Sequence, residues 1–309
     1  MKHISVVTPC YNEEENVLPL HRAVSAVFKA RPDLSFEHIF IDNCSRDKTP
    51  DILRTLARED PLVKVILNSR NFGHIRSPFH GLIQAQGDAV ILIACDFQDP
   101  PELIEQFLQK WTAGYKVVVG VKTAADESRA MYSIRTFYYR LVNRLADIEL
   151  IDNMTGFGLY DKEVVRTLKS LGDPYPYFRG LVADIGYECF KIPYHQPVRT
   201  RGITKNNFYT LYDLAMLGIT NHSKVPLRIA TMAGFLMAGV SLFIAFSYLV
   251  AKLAFWNQFT IGVAPIIISL FFFSSVQLFF IGIIGEYIGA ILTQVQKRPL
   301  VVEKERINF

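Results

Sequence analysis

The chain has 309 residues, of which 50% are hydrophobic and 20% charged, and its formal net charge is +4. This length allows two domains, and so small a charge gives no reason to expect a nucleic-acid partner. The four cysteines are scattered without paired spacing, which argues against a disulfide framework or a zinc site and fits a reducing compartment. The N-terminus opens directly into a strand pattern, so we expect no signal peptide.

Short β-rich runs alternate with helical patterns through the first part of the chain. The predicted strands are His3–Thr8, Phe36–Ile41, Val63–Leu67, Ala89–Ala94 and Val117–Val121. The predicted helices are Glu14–Arg31, Thr49–Arg58, Ile75–Gln86 and Pro101–Trp111. This alternation predicts an α/β domain whose mostly parallel sheet is covered on both faces. Ligands of such sheets bind beyond the carboxyl ends of the strands.

The pattern is less regular in the middle of the chain. Arg129–Asp147 is predicted to be a basic, aromatic-rich amphipathic helix, and Thr155–Tyr160 and Tyr187–Ile192 are predicted strands. In Asn207–Gly218 the apolar residues recur at helical spacing. That helix could lie in a membrane interface or pack on the catalytic domain, and the sequence leaves both open.

Two uninterrupted apolar runs follow, Ile229–Ala251 and Ile261–Gly285. Each is long enough to cross a bilayer, which takes about 20 residues. Lysines and arginines flank the outer ends of the runs, whereas the connecting turn carries only Lys252 at its edge. The positive-inside rule then predicts a membrane hairpin with both termini in the cytoplasm, so that the α/β domain faces the cytosol. Gly282, Gly285 and Gly289 would permit close packing between helices, so the sequence leaves open whether the protein forms a homo-oligomer.

These patterns divide the chain into four parts. Residues 1–205 are the predicted catalytic domain, 206–228 a juxtamembrane amphipathic segment, 229–285 the two membrane helices and 286–309 a polar cytoplasmic tail. A basic cluster precedes the first apolar run, at Arg199, Arg201, Lys205, Lys224 and Arg228. It suits a phosphate or anionic headgroups near the membrane surface. Ordinary positive-inside bias is the alternative.

Three polar clusters follow the predicted strands. The first, Thr8–Glu14, combines a proline, an aromatic residue and acids that could hold a nucleobase and ribose, or simply begin a helix. In the second, Asp42 is placed to accept hydrogen bonds from a base or sugar, while Ser45 and Asp47 suit a turn and a cap. In the third, Asp96 and Gln98 offer the hard oxygen ligands that Mg²⁺ or Mn²⁺ on a substrate diphosphate needs.

Taken together, the motifs resemble those of glycosyltransferase family 2, the nucleotide-sugar transferases of the GT-A fold. The resemblance is carried by Pro9-x-Tyr11-Asn12-Glu13, Asp42-Asn43-x-Ser45-x-Asp47, Arg70-Asn71-Phe72-Gly73 and Asp96-x-Gln98-Asp99-Pro100-Pro101. With Gly202-x-Thr204-Lys205 and the two apolar runs, the chain resembles the polyprenyl-phosphate branch. That branch includes dolichyl-phosphate mannose synthases and the undecaprenyl-phosphate glucosyltransferases that modify the O-antigen of lipopolysaccharide, a cell-envelope glycan.

The resemblance implies a role for each matching position. Pro9, Tyr11, Asn12, Glu13 and Asp42 would hold the nucleoside, and Asp96 and Gln98 would bind Mg²⁺ or Mn²⁺. The cations of the site would be Arg129 and Arg135 as phosphate contacts, with Arg201 and Lys205 meeting the lipid phosphate or the leaving diphosphate. The implied reaction is an inverting transfer of a sugar from a nucleotide sugar to a polyprenyl phosphate such as undecaprenyl phosphate. The first choice of donor is UDP-glucose, so the transferred sugar would be glucose.

The chain departs from the family pattern at several positions. Ala94 replaces the first acid of the usual Asp-x-Asp, so metal binding rests on Asp96 and Gln98, with Asp99 as a further candidate. Asn43 replaces the second acid of a usual Asp-Asp pair, and no acid stands in the Thr155-Gly156-Phe157 turn. The acids missing at Ala94 and Asn43 leave a second hypothesis, a catalytically impaired scaffold that binds nucleotide-sugar at the membrane. GDP-mannose, UDP-N-acetylglucosamine and UDP-aminosugars remain alternative donors. A processive polysaccharide synthase would carry a Gln-x-x-Arg-Trp element, which the sequence lacks.

Overall fold

The structure, a computed structural model, describes residues 1–123, 151, 153–197, 216–220, 223–255 and 263–309. The predicted helix Arg129–Asp147, the Gly202–Lys205 element and all but the end of the predicted helix Asn207–Gly218 lie outside the described residues.

The described part of the chain contains eight strands, eight helices and a further helical stretch at residues 216–220. The strands are β1 (Lys2–Cys10), β2 (Leu34–Asp42), β3 (Val63–Asn68), β4 (Ala89–Leu92), β5 (Val117–Lys122), β6 (Met154–Asp161), β7 (Cys189–Tyr194) and β8 (Glu303–Ile307). The helices are α1 (Val17–Lys29), α2 (Thr49–Glu59), α3 (Gly73–Gln84), α4 (Leu103–Thr112), α5 (Lys162–Leu171), α6 (Phe178–Asp184), α7 (Val225–Ala254) and α8 (Val263–Gln296).

All eight strands form one sheet in the order β7-β5-β6-β4-β1-β2-β3-β8. The pairs β1–β2, β1–β4, β2–β3 and β5–β7 are parallel, whereas β6 runs antiparallel to β4 and β5, and β8 antiparallel to β3. The predicted mostly parallel sheet is therefore confirmed. Parallel pairing places the carboxyl ends of β1, β2 and β4 at one edge of the sheet, where the three polar clusters begin.

Side chains alternate between two buried layers because successive residues of a strand point to opposite faces. From β1, Ile4 and Val6 pack on the face covered by α1 and α4, while Val7 packs on the face covered by α3 and α5. The helical spacing predicted an apolar face on α1, and Val17 and Leu20 are fully buried there. Both faces of the sheet are thus covered, and the carboxyl edge is left for binding.

The last residues differ most from the sequence-based expectation. The predicted polar tail contains the end of α8, which continues past Gly285 to Gln296, and then the strand β8. Arg54 donates from Nε and Nη2 to one Glu305 oxygen (3.0 and 2.9 Å), and the Asn308 side chain donates to the carbonyls of Ala57 (2.6 Å) and Val63 (2.9 Å). Such a strand is hard to predict because its partner, β3, is more than two hundred residues away in the chain.

Helices α7 and α8 are long and apolar enough to cross a membrane. The candidate membrane spans are Val225–Ala251 in α7 and Ile268–Gln296 in α8, each with a mean hydropathy of 2.1. In the most apolar part of each span, no residue is buried inside the protein. Large side chains such as Phe235, Phe243 and Phe271 are exposed along them. Two exposed apolar helices of this length indicate association with a membrane.

We expect that ending the chain at Val302, which removes β8, destabilises the catalytic domain by on the order of 3 kcal/mol. The deletion removes several hydrogen bonds of about 1 kcal/mol each and leaves the edge of β3 unpaired. Thermal unfolding of the purified protein in detergent measures the effect. Lys304→Ala, at an exposed position of the same strand, is the control and should unfold like the wild type. An unchanged midpoint for the truncated chain would show that β8 does not stabilise the sheet.

Candidate active site

The loops that follow β1 and β2 form one continuous rim at the carboxyl edge. Backbone and side-chain groups of residues 12–14 are hydrogen-bonded to those of residues 45–49. The bonds are Asn12 N to Ser45 Oγ (2.8 Å), Arg46 N to Asn12 Oδ1 (2.8 Å), Glu13 N to Thr49 Oγ1 (2.9 Å), Glu14 N to Asp47 Oδ2 (3.3 Å) and Lys48 N to Glu14 Oε2 (2.9 Å). Asn12 adopts a left-handed conformation (φ 57°), which asparagine tolerates better than most residues.

The residues predicted to hold a nucleoside meet at this rim. Strand pairing sets Pro9 opposite Ile41 and Cys10 opposite Asp42, which brings Tyr11, Asn12 and Glu13 beside Asp42. Glu13 is 9% exposed, and its Oε2 accepts a hydrogen bond from Asn16 Nδ2 (2.6 Å). The structure therefore gathers Pro9, Tyr11, Asn12, Glu13 and Asp42 at one place, as the sequence predicts.

Asp42 is more enclosed than a simple ligand contact requires. It is 1% exposed, and its two oxygens accept hydrogen bonds from the backbone N–H (3.0 Å) and the hydroxyl of Ser45. Burial raises the pKa of its carboxyl group. Asp42 thus shapes the rim from below, and Ser45 is the turn residue that the sequence predicts.

Asn43, which stands where the usual family pattern has an acid, holds the loop that follows β3. Its Nδ2 donates to Asn71 Oδ1 (2.9 Å) and to the Gly73 carbonyl (3.1 Å), while its Oδ1 accepts from Phe72 N (2.8 Å) and Asn68 Nδ2 (3.3 Å). A carboxylate could accept but could not donate. Asn43 is 6% exposed, so these bonds are made in the interior. In the sequence, Asn43 looks like the loss of an acid. In the structure, its side-chain amide is used both as a hydrogen-bond donor and as an acceptor.

The loop that follows β4 carries the candidate metal ligands. Phe97 has a left-handed backbone (φ 58°), and Gln98 N donates to Asp96 Oδ1 (3.2 Å). This tight turn keeps the side chains of Asp96 and Gln98 at the carboxyl edge, partly exposed.

Asp99, the further candidate ligand, points into the protein. Its Oδ1 accepts from the Tyr194 hydroxyl (3.0 Å) and its Oδ2 from Ala94 N (3.1 Å). Burial raises the pKa of Asp99 to about 6. With both oxygens engaged, Asp99 fixes the ends of the loop on which Asp96 lies.

The donor set fits a divalent cation that shares its coordination with a substrate. Among the described residues, no three His, Cys, Asp or Glu side chains cluster closely enough to hold a metal ion by themselves. Mg²⁺ is usually bound through one or two carboxylates together with substrate phosphates. Asp96 and Gln98 supply oxygens of that kind, and the remaining ligands would come from a diphosphate and water.

A buried network of two histidines lies below β1, and the sequence did not predict it. His38 Nε2 and Thr8 Oγ1 are 3.0 Å apart, and its Nδ1 is 3.2 Å from that of His21. His21 in turn lies 3.3 Å from Asp60. His38 is fully buried, and burial, followed by the charge of His21, holds its pKa well below 6.5. No sequence motif marks His38, because in the sequence it looks like an ordinary residue of an apolar strand.

We expect the protein to lose stability as the pH falls below 6.5, because the unfolded chain binds a proton at His38 that the folded protein excludes. One such proton changes the free energy of unfolding by about 1.4 kcal/mol per pH unit. Comparing thermal midpoints at pH 7.5 and 5.5 tests this. His38→Gln should show a smaller difference than the wild type, whereas His195→Gln, at an exposed site, should match the wild type. Equal pH dependence in all three proteins would contradict the expectation.

A cavity of ≈200 Å³ adjoins the rim on the other side of β1. Pro9, Ala94 and Asp99 line it from the carboxyl edge, and the beginnings of β6 and of α6 close it. It also contains two basic side chains, His74 and Arg179, which the sequence analysis did not single out. The predicted cations Arg129, Arg135, Arg201 and Lys205 lie outside the described residues.

A mostly parallel sheet whose carboxyl edge carries loops suited to binding a nucleotide and a metal ion is the arrangement of a GT-A glycosyltransferase. Residues 5–169 match the model of "Glycosyl transferase family 2", and the chain belongs to that family. The predicted family and fold are therefore confirmed.

Relatives match over almost the whole chain, including α7 and α8. The uncharacterized glycosyltransferase YkcC of Bacillus subtilis is 36% identical over 304 residues, covering 97% of this chain and 94% of that protein. The bactoprenol glucosyl transferase of Shigella phage SfII is 34% identical over 303 residues, covering 98% and 97%. Among solved structures, glucosyl-3-phosphoglycerate synthase from Mycobacterium tuberculosis gives a TM-score of 0.49 at 16% identity, covering 71% of this chain and 76% of that chain.

Proposed function

We propose that this protein transfers glucose from UDP-glucose to a polyprenyl phosphate such as undecaprenyl phosphate. Several relatives of nearly full length are named bactoprenol glucosyl transferases, among them those of Shigella phages SfII and SfV. A family 2 catalytic domain and two exposed apolar helices in one chain suit a water-soluble donor and an acceptor that stays in the bilayer.

The observation that carries the proposal is the connection between the apolar helices and the site. The chain leaves α8 at Gln296 and enters the sheet as β8 beside β3. On the way, the Val302 carbonyl accepts a hydrogen bond from Ser69 N (2.9 Å), next to the loop that Asn43 holds. The second apolar helix is thus tied to the sheet near the predicted donor site, so a membrane-held helix would keep that site at the bilayer surface.

The acceptor phosphate supplies its own nucleophile. A phosphate monoester has a second pKa of about 6 and is largely ionised near neutral pH. One of its oxygens can attack the anomeric carbon while the bond to the nucleoside diphosphate breaks, in an inverting single displacement. A protein general base is needed only when the nucleophile must lose a proton. The absence of an acid in the Thr155-Gly156-Phe157 turn therefore does not argue against transfer.

The protein then has to position two anions and stabilise the departing diphosphate. In the proposal, Pro9, Tyr11, Asn12 and Glu13 hold the nucleoside on the rim that Asp42 supports from below, and Arg129, Arg135, Arg201 and Lys205 contact the phosphates. Asp96 and Gln98 would hold Mg²⁺ or Mn²⁺, which stabilises charge on the leaving diphosphate. Fixed cations of this kind lower the barrier by orienting the reactants and by stabilising developing charge.

We further propose that α7 and α8 form a hairpin in the inner membrane, with the catalytic domain and both termini in the cytoplasm. Lys224 and Arg228 precede α7 and Lys297 and Arg298 follow α8, which agrees with the positive-inside rule. This orientation presents the site to the compartment that supplies nucleotide sugars.

A donor panel tests the proposed function. The purified protein is incubated with undecaprenyl phosphate and, separately, UDP-glucose, UDP-N-acetylglucosamine, a UDP-aminosugar and GDP-mannose, and the lipid product is identified by its mass. We expect a hexosyl phospholipid with UDP-glucose at a rate at least tenfold above the other donors. A higher rate with GDP-mannose or a UDP-aminosugar would overturn the choice of donor.

A further inference from the structure

We propose that the ≈200 Å³ cavity beside the rim is the acceptor pocket, in which Arg179 and His74 hold the phosphate of an amphiphilic lipid and an apolar wall takes the first part of its tail. The inference rests on the proposed function. It assigns the binding of the acceptor phosphate to Arg179 of α6 and His74 of α3. These two residues are not among the arginines and lysines that the family resemblance implies.

The location of the cavity suits the acceptor. Pro9 and Ala94 line it at the carboxyl ends of β1 and β4, so it shares a border with the predicted nucleoside and metal residues. Because β6 runs antiparallel to β4, its first residues, Thr155 to Phe157, lie at the same edge and form the far wall. A ligand in the cavity would therefore face a donor bound on the rim from the side of β6.

The lining distinguishes an amphiphile from a sugar. Apart from Asp99, Thr155, His74 and Arg179, it consists mostly of apolar side chains, including Ile75, Phe79 and Phe178. A sugar ring would leave most of its hydroxyl groups unpaired against such a wall, at a cost for each one. A phosphate with a hydrocarbon tail pairs its charged end with the basic residues and buries its apolar end.

The beginning of α6, which carries Arg179, is held in place by packing. Phe178, the residue before Arg179, packs edge-to-face against Phe79 (6.2 Å between ring centroids) and Tyr160 (5.1 Å). Gly156 has a positive φ of 101°, and a Cβ there would come within 3.6 Å of the Phe178 ring. Partial burial, followed by the charge of Arg179, lowers the pKa of His74, so Arg179 supplies the positive charge of the pocket and His74 a ring N–H donor.

Asp99 is the one acid among the described residues that line the cavity, and both of its oxygens are already hydrogen-bonded. Its two oxygens accept hydrogen bonds from Tyr194 and Ala94, on the side of the metal loop. Arg179 can offer a planar pair of N–H donors to a phosphate, and such charge-assisted pairs are strong and directional.

A second cavity lies beside α8, next to the segment that lines the acceptor pocket. This cavity, of ≈520 Å³, lies between α8 and residues 216–220, and Tyr175 lines it. The next two residues, Pro176 and Tyr177, line the acceptor pocket. One short segment therefore separates a space beside the membrane helix from the pocket, and a lipid tail could pass along this segment into the bilayer.

Binding of farnesyl phosphate to the full-length protein in detergent, without nucleotide sugar, tests the pocket directly. We expect the wild type to bind farnesyl phosphate at least tenfold more tightly than farnesol or inorganic phosphate. Arg179→Gln should weaken binding about tenfold or more, and Arg179→Lys should weaken it less because the charge is kept. Arg166→Gln, on the exposed side of α5, is the matched control and should bind like the wild type.

Steady-state kinetics with undecaprenyl phosphate give the second readout. Arg179→Gln should raise the KM for the lipid at least tenfold and leave the KM for the donor within twofold. If Arg179→Gln lowers the thermal midpoint, His74→Gln, at the protein surface, replaces it and should raise the lipid KM about threefold. A raised donor KM with an unchanged lipid KM would overturn the inference, as would unaltered binding of farnesyl phosphate.

The two proposals fail in different ways. A wild type that binds farnesyl phosphate through Arg179 but transfers no sugar would refute the proposed function and support the pocket. A wild type that makes the lipid product while Arg179→Gln and His74→Gln keep its lipid KM would refute the pocket and support the function.

Discussion

Asp96→Asn should reduce the rate of sugar transfer at least a hundredfold without unfolding the protein. Asp96 is the carboxylate of the Asp96-x-Gln98-Asp99 motif that remains partly exposed at the carboxyl edge, since Asp99 is bound to Tyr194 and Ala94. With Ala94 in place of the usual first acid, no second carboxylate of the family motif can compensate. Removing one preorganised hydrogen-bond donor from an oxyanion hole typically costs a factor of about 10² to 10³ in rate, and we expect an effect of that order for the loss of a carboxylate that holds the metal ion.

The measurement is product formation at a series of Mg²⁺ and Mn²⁺ concentrations. The variant should also need more metal to reach half of its own maximal rate, because Asn lacks the negative charge that attracts a divalent cation. Asp33→Asn is the matched control, since Asp33 is an exposed acid of the α1–β2 connection, at the opposite edge of the sheet. A rate above a third of the wild-type value in Asp96→Asn would show that Asp96 has no part in the reaction.

Asn43→Asp, which restores the acid of the usual family pattern, should destabilise the protein by about 2 to 4 kcal/mol. The new carboxylate cannot donate to Asn71 Oδ1 or to the Gly73 carbonyl, and it would face both oxygens at the present distances of 2.9 and 3.1 Å. Rotating the Asn71 amide does not relieve the conflict, because its Oδ1 also accepts from Gly73 N (2.8 Å). Leaving a buried polar group unpaired costs about 1 to 3 kcal/mol, and more when a charge is involved.

Thermal unfolding and the KM for UDP-glucose are the two readouts for Asn43→Asp. We expect both a lower midpoint and a higher KM, since the loop that follows β3 borders the rim. Asn12→Asp makes the same chemical change at a site where the side-chain oxygen only accepts, from Arg46 N. Its midpoint should change by less than a third as much. If Asn43→Asp is as stable as the wild type, the donor role of the amide is wrong.

The role of Asn43 also bears on the hypothesis of an impaired scaffold. That hypothesis drew on two missing acids, and one of them is explained by the hydrogen bonds that hold the loop after β3. Ala94 is the remaining departure, and its backbone N–H is used to bind Asp99. A modified but ordered loop of this kind agrees better with an active site than with a degenerate one.

Much of the fold follows from local patterns. The strands from β1 to β5 and the helices between them were predictable because alternating apolar runs and helical spacing are properties of short windows. The clusters at Pro9, Asp42 and Asp96 could be found for the same reason, since each directly follows a strand. Parallel pairing then brings them to one edge without further information.

The features that the sequence did not predict depend on contacts between distant parts of the chain. β8 pairs with β3 across the whole catalytic domain, and its polar residues resemble those of a free tail. Arg179 and His74 line one cavity although more than a hundred residues separate them. His38 reads as an ordinary strand residue until His21 and Thr8 are placed beside it. Such residues carry no signal in a single sequence.

The most direct test of the central claim compares two acceptors that differ only in the phosphate. The purified wild-type protein is given radiolabelled UDP-glucose with undecaprenyl phosphate or with undecaprenol, and both the label in the lipid and the released UDP are counted. We predict labelled lipid and an equal amount of UDP with the phosphate, and none with the alcohol, because the phosphate is the nucleophile. Equal transfer to undecaprenol, or UDP release without labelled lipid, would contradict the proposed function.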